Sequence, residues 1–281
     1  MYGCATETIA LYYGSYLSQD RVRGATGGHS GKHEIMLGRG GCCAAVDVFA
    51  HFRLNVSQWP YWSAAQPQHV AFVNWMADAI EAGEPAGFGV FMQAEDNPTF
   101  DHIVPLVGVD RERRSLVFND LHSNVSLHED LDTFVATRAE CRRALPWGKR
   151  FAYCLPAKIN YGLRVHGNVD PDGVLLRARL RMDDWNEPDY SVEDGKGEAP
   201  TLLSASVLVS QLRPGALYSL LKYTDAALVP ASNFLANITR GCVSRVDFTA
   251  TSSGTYQRRV AFMSNATVIY RVVNRPSPIL H

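Results

Sequence analysis

His102-Ile-Val-Pro-Leu-Val-Gly-Val-Asp110, a tight connection, then Ser115-Leu-Val-Phe-Asn-Asp120 is the stretch on which the reading of the first half of the chain turns. Both runs are short, β-branched and bounded by polar turn residues, as strands are. A connection of this length predicts an antiparallel hairpin. The start of the first strand then lies beside the end of the second, which makes His102 and Asp120 neighbours on one edge of a sheet. Successive side chains on a strand alternate between faces, so Asn119 and Asp120 point to opposite sides and only one of them can serve His102. Working outward, GFGVFMQ (87–93) and FAYCLPA (151–157) read as further strands. Helical spacing of apolar residues predicts helices over 4–14, 43–54 and 67–82, with a short one at 127–138. Residues 18–41 are a loop rich in Gly, Ser and His. Helices first and an antiparallel sheet after them make an α+β pattern.

Cys4 stands in the first turn of the first predicted helix. Helix N-termini carry unpaired N–H groups and a partial positive charge, and both favour thiolate over thiol. A nucleophilic cysteine needs a base, and the base needs a third group to hold its ring and tautomer. His102 and Asp120 fill those roles by spacing, with Asn119 the alternative orienting residue. Cys43 at the start of the second helix is the rival nucleophile, although Cys42 and Cys43 more simply pack that helix or join a disulfide. A zinc site from Cys42, Cys43, His29 and His33 matches no standard spacing. Trp59, Tyr61 and Trp62 read as an aromatic core cluster before they read as a substrate cleft. Asp96, Asn97 and Phe100 border the cleft in the same reading. Cys141, Cys154 and Cys242 read as structural.

These residues resemble a known family. Cys4-Ala-Thr-Glu-Thr-Ile-Ala-Leu-Tyr-Tyr-Gly14, followed by Leu17-Ser-Gln19, is similar to the opening of papain-like cysteine peptidases of the bacteriocin-leader-peptidase and plant-pathogen-effector type. Gly41-Cys-Cys-Ala-Ala45 resembles the start of their second helix. His102 to Asp110 looks like their H-x-V-x-x-x-G-x-D strand, and Val117-Phe-Asn-Asp120 like their V-x-N-D-P strand end. The resemblance covers residues 1–157. It implies a papain-like α+β domain with Cys4 as nucleophile, His102 as base and Asp120 as orienting residue. Two departures stand out. Only Met1, Tyr2 and Gly3 precede Cys4, where the family carries a glutamine that helps bind the oxyanion, and Leu121 replaces the usual proline. One such donor is worth about 100- to 1000-fold in rate.

From residue 158 to 281 the sequence reads as strands separated by turns, about seven of them, as a β sandwich requires. Leu212-Arg-Pro-Gly-Ala-Leu-Tyr218 looks like the turn-and-strand of fibronectin type III modules, in which a tyrosine hydroxyl fixes a corner between sheets. The acidic stretch 183–200 is its most distinctive surface loop. The expectation is therefore two domains: a papain-like cysteine peptidase domain over 1–157 and an Ig/fibronectin-like β-sandwich over 158–281.

Composition sets the outer limits. The chain has 281 residues, 46% hydrophobic and 20% charged, which excludes a disordered chain. Its 27 basic and 28 acidic residues leave no basic excess, so a nucleic-acid partner is not expected. No apolar run reaches the length of a membrane span. The N-terminus lacks the pattern of a signal peptide. Sequons at Asn55, Asn124, Asn237 and Asn265 favour a secretory or vesicular compartment. The expected activity is acyl transfer from a peptide or protein substrate through a thioester, with no cofactor and no metal. Hydrolysis and transpeptidation leave the same sequence signature. Two other readings remain: a catalytically weak papain-like scaffold whose sandwich binds a protein or glycan, and a thiol transferase acting on a γ-glutamyl peptide.

Overall fold

The computed structural model describes residues 2–18, 21–22, 45–94, 100–112, 115–120, 125–130, 134–143, 151–158, 160–170, 172–183, 199–238 and 240–275. It is mostly β, 45% strand against 18% helix, with three sheets and four short helices. Ordinary globular proteins carry only about 20–25% strand. The expected α+β papain-like fold with a helical N-terminal layer is therefore corrected.

The reason lies in where the helices stop. Helix α1 is Tyr2–Tyr12, α2 is Ala45–His51, α3 is His69–Glu81 and α4 is Arg138–Arg143. The sequence pattern extends α2 to residue 54. Instead Arg53 takes a left-handed φ of 57°, its N–H bonds to the Ala50 carbonyl, and Leu54–Gln58 leaves as strand β2. The apolar spacing of 127–138 imitates a helix. Pairing decides otherwise, because Val125–Asp130 adds to the edge of the preceding strand as β6.

The chain forms two compact units that interleave in sequence. Unit 1 is Met1–Ile9, Glu34–Val46 and Asn55–His166; unit 2 is Ala10–His33, Asp47–Leu54 and Gly167–His281. Unit 1 is organised by an eight-stranded sheet. Its strands are β2, β3 (Ala86–Ala94), β4 (Phe100–Asp110), β5 (Ser115–Asp120), β6, β7 (Phe134–Val135), β8 (Phe151–Pro156) and β9 (Gly162–Asn168). The main order is β2-β9-β3-β4-β5-β6, with β8 along the far end of β3 and β7 parallel to β8. β4 and β5 form the expected antiparallel hairpin, with Leu106 opposite Phe118 and Asp110 opposite Ser115. Helix α3 buries Phe72, Val73, Met76, Ala77 and Ala79, an i, i+1, i+4, i+5, i+7 stripe. Cys141 on α4 is disulfide-bonded to Cys154 on β8.

Unit 2 holds two sheets. One runs β1 (Ser15–Leu17), β16 (Thr267–Asn274), β13 (Leu217–Tyr223), β14 (Ser244–Thr249), with β10 (Leu175–Leu176) also on β16. The other is β11 (Ala178–Met182), β12 (Leu202–Val209) and β15 (Tyr256–Met263). Alternate residues of both sheets share one core, including Tyr16, Leu180, Val207, Leu220, Phe262 and Val272. Tyr218 makes the corner its motif implies: the Arg213 N–H donates to the Tyr218 hydroxyl over 2.9 Å. Tyr218→Phe should lower unfolding stability by about 1 kcal/mol, because one hydrogen bond is lost and packing is kept. A urea midpoint unchanged from wild type would remove the corner as a stabilising feature.

Candidate functional site

Cys4 lies in the first turn of α1. His102 is the third residue of β4, 4% exposed and directly opposite Val90 of β3. Asp120 ends β5 and pairs with Val125; Asn119 pairs with Ser126. The side chains of Cys4, Asn119 and Asp120 are outside the described residues, so their positions follow from backbone register. Asp120 keeps step with Phe118, and Phe118 faces Leu106. Leu106, Val104 and His102 keep step in turn along β4. Asp120 and His102 therefore belong to one face of the sheet, on adjacent strands, and Asn119 belongs to the other.

Two glycines show what covers each face. A methyl placed on Gly162 would lie 2.8 Å from Phe72 and 3.2 Å from Trp75, so α3 rests against the backbone there. Gly162 pairs with Phe88, which shares its face with Val90 and His102. A methyl on Gly87 would lie 3.5 Å from Ile9 Cδ1. Gly87 pairs with Pro105, on the opposite face. By backbone register His102 and Asp120 share the face that α3 covers, on adjacent strands, while α1 touches the sheet through Ile9 on the other side.

The remaining sequence candidates separate as follows. Trp59 and Tyr61 are buried, and Trp62 is 63% exposed. Trp59 Nε1 donates to Gln68 Oε1, Gln68 Nε2 donates to the Tyr61 carbonyl, and the Asn160 N–H also donates to Gln68 Oε1. Gln68 is a fully buried knot that fixes the aromatic loop, which is the core role expected of that cluster. Cys42, Cys43, His29, His33, Asp96 and Asn97 lie outside the described residues. Cys242 is free and half-buried, and its Sγ lies against the Ser244 carbonyl.

A second polar constellation in unit 1 has no counterpart in the sequence reading. His166 Nδ1 is 2.8 Å from Glu84 Oε1, and His166 Nε2 is 2.9 Å from Ser57 Oγ. Arg164 donates from Nε and Nη2 to the other carboxylate oxygen of Glu84, at 3.1 and 2.7 Å, and its guanidinium stacks 5.3 Å from the Trp75 ring. Partial burial pushes the Glu84 carboxyl up, but the hydrogen bonds from His166 and Arg164, with their charges, outweigh this and hold it below the usual carboxylate range. Ser57 is on β2, Arg164 and His166 on β9, and Glu84 two residues ahead of β3. These strands are neighbours in space, yet their residues are 82 and 109 positions apart in sequence. No local motif links them, and only the strand order does.

No protein-family model matches the chain, and no curated protein matches it.

Proposed function

We propose that the chain performs thiol-dependent acyl transfer on a peptide or amide substrate, with Cys4 as nucleophile, His102 as its proton partner and Asp120 as the orienting carboxylate. The observation that supports this reading is the placement of His102 and Asp120 on adjacent strands and one face, with Cys4 in the opening turn of a helix of the same unit. In this chemistry Cys4 Sγ attacks the carbonyl carbon while His102 accepts the thiol proton. The imidazolium then returns that proton to the leaving amine. Water, or a second amine, opens the thioester. The Cys141–Cys154 disulfide and the four sequons support an oxidising, secretory compartment.

The reading requires Sγ and the imidazole to meet at roughly hydrogen-bond distance. One observation favours a second reading instead. Ile9 of α1 rests on the Gly87 face, and His102 occupies the other. In that reading unit 1 is a scaffold without activity, and the β sandwich of unit 2 binds a protein or glycan.

Iodoacetamide labelling at graded pH, mapped by mass spectrometry, decides between them. Cys242 is the reference thiol, because Cys141 is held in the disulfide. Thiolate content rises about tenfold for each pKa unit removed. An activated Cys4 should therefore label at least about tenfold faster than Cys242 below pH 7, and slow in His102→Ala. Equal rates at the two cysteines would leave the scaffold reading in place.

A further inference from the structure

We propose that Ser57, His166 and Glu84 form a second, serine-based acyl-transfer centre in unit 1, separate from Cys4 and suited to small activated carboxylic esters. The chain of contacts has the order that such chemistry needs: hydroxyl to imidazole at 2.9 Å, imidazole to carboxylate at 2.8 Å. Triads of this kind are recognised by geometry and roles, not by sequence order, and glutamate serves as the third member in some of them. In the tautomer that donates its Nδ1 proton to Glu84, the His166 Nε2 lone pair faces the Ser57 hydroxyl and accepts its proton.

Three features separate this cluster from a chance surface network. First, the carboxylate is fixed from both sides. Arg164 holds one oxygen with two donors and leaves the other to His166. Second, two of the three members stand on paired strands of the main sheet, and the third directly precedes its neighbour, so the geometry is pre-organised by the ladder rather than by a loop. Third, the site is open to solvent. The His166 side chain is 33% exposed and Glu84 18%, and Ser57 is half-buried, so the cluster lies at the surface of the sheet and not in its core.

The class of substrate follows from the surroundings. Arg164 shares its charge with Glu84, which weakens the carboxylate's hold on a developing imidazolium. A weaker hold suits a good leaving group, so an aryl or similarly activated ester is favoured over an amide. Ser57 Oγ attacks the ester carbonyl carbon while its proton moves to His166 Nε2. The carbon–oxygen bond to the leaving group then breaks, and Nε2 returns the proton to the departing oxygen. Water attacks the acyl-serine by the same route, releasing the carboxylic acid and restoring the Ser57 hydroxyl.

A fluorophosphonate probe and p-nitrophenyl acetate test this on the full chain. The probe should map to the Ser57 peptide in wild type and be lost in Ser57→Ala. His166→Gln should slow that labelling, and the esterolysis that remains after iodoacetamide has blocked the free thiols, at least about 100-fold, the usual scale of general-base catalysis. Ser57→Ala and His166→Gln are checked for wild-type circular dichroism, and Glu84→Gln gives an intermediate rate if the variant of His166 is misfolded. Labelling spread over exposed serines such as Ser253, or a Ser57 rate indifferent to His166 and Glu84, overturns the proposal and leaves the cluster as a clasp between strands. Because the free thiols are blocked and the adduct is mapped to the Ser57 peptide, failure here leaves the thiol reading untouched.

Discussion

Phe118→Ala should lower the stability of the protein by about 3–5 kcal/mol. Phe118 is fully buried at the middle of β5, with its ring 5.6 Å from Phe88 and 5.5 Å from Tyr153 in edge-on contacts. Truncation removes a whole ring from a close-packed sheet face and leaves a cavity that the strands around it cannot collapse to fill. Domains of this kind have only about 5–15 kcal/mol to lose. A urea titration followed by fluorescence should show the midpoint fall by a large fraction, with little change in slope. Because Asp120 follows Phe118 by two residues, the variant should also loosen the register that sets Asp120 beside His102. A midpoint within about 0.5 kcal/mol of wild type would mean that the Phe88–Phe118–Tyr153 face is not the core it is described as here.

Arg271→Met should act in the opposite direction, raising stability by about 1–4 kcal/mol at neutral pH. Arg271 is the largest fully buried side chain described. Its Nη1 donates to the Tyr13 carbonyl, the Ser15 hydroxyl and the Tyr270 carbonyl, while among the described residues Nε and Nη2 have no partner. Among the described residues its hydrogen-bond partners are carbonyls and a hydroxyl, with no carboxylate. Burial pushes its guanidinium down from the ordinary arginine range to about 9, against a smaller upward pull from Tyr223. It is therefore charged at pH 7 in an apolar setting, where a desolvation cost of several kcal/mol is set against three charged-donor hydrogen bonds of about 1.5–3 kcal/mol each. Methionine keeps the length and drops the charge.

The same residue imposes a pH dependence. Above about 9 the unfolded chain holds a proton on Arg271 that the folded chain has released, so wild-type stability rises with pH from there. Two tyrosines work against this at higher pH. Burial pushes Tyr223 up, as does the neighbouring Cys242, and burial pushes Tyr270 up to about 12. Above the ordinary tyrosine value of 10 the folded state retains protons the unfolded state has lost, and stability falls. Urea midpoints should therefore rise from pH 8 to near 10 in wild type and then drop, whereas Arg271→Met shows only the drop. Parallel curves for the two proteins would show that Arg271 does not carry the alkaline gain.

How much of this was legible beforehand depended on how local the cause was. The β4–β5 hairpin was readable because alternation and a short connection are written within 20 residues, and so was the shared face of His102 and Asp120. Which face α1 would take was not, because Gly87 and Gly162 look alike in a strand and differ only in what packs on them. The class of fold was misjudged for a related reason. Residues 54–58 and 125–130 have patterns that suit either a helix end or a strand, and the free edges of β9 and β5 settled the matter. Arg271 sits in a run, TVIYRVV, that is plainly a strand, yet nothing in that run says that its polar member points away from water. Ser57, Glu84 and His166 were invisible one by one, since a serine on a strand and a glutamate before one are commonplace.

The pairing of β1 with β16 has a consequence for how the chain is made. Ser15, Tyr16 and Leu17 stand opposite Ile269, Val268 and Thr267. β1 waits about 250 residues, by register, before its partner strand is made. Unit 2 therefore closes only once β16 is available, a long-range step of the slow kind. A fragment cut after residue 157 would start without Ser15–Leu17 and present the uncovered Thr267–Ile269 end of β16 to other chains, an invitation to edge-to-edge aggregation. Expression of the sandwich alone should succeed only when residues 10–18 are supplied with it, in the same chain or as a peptide.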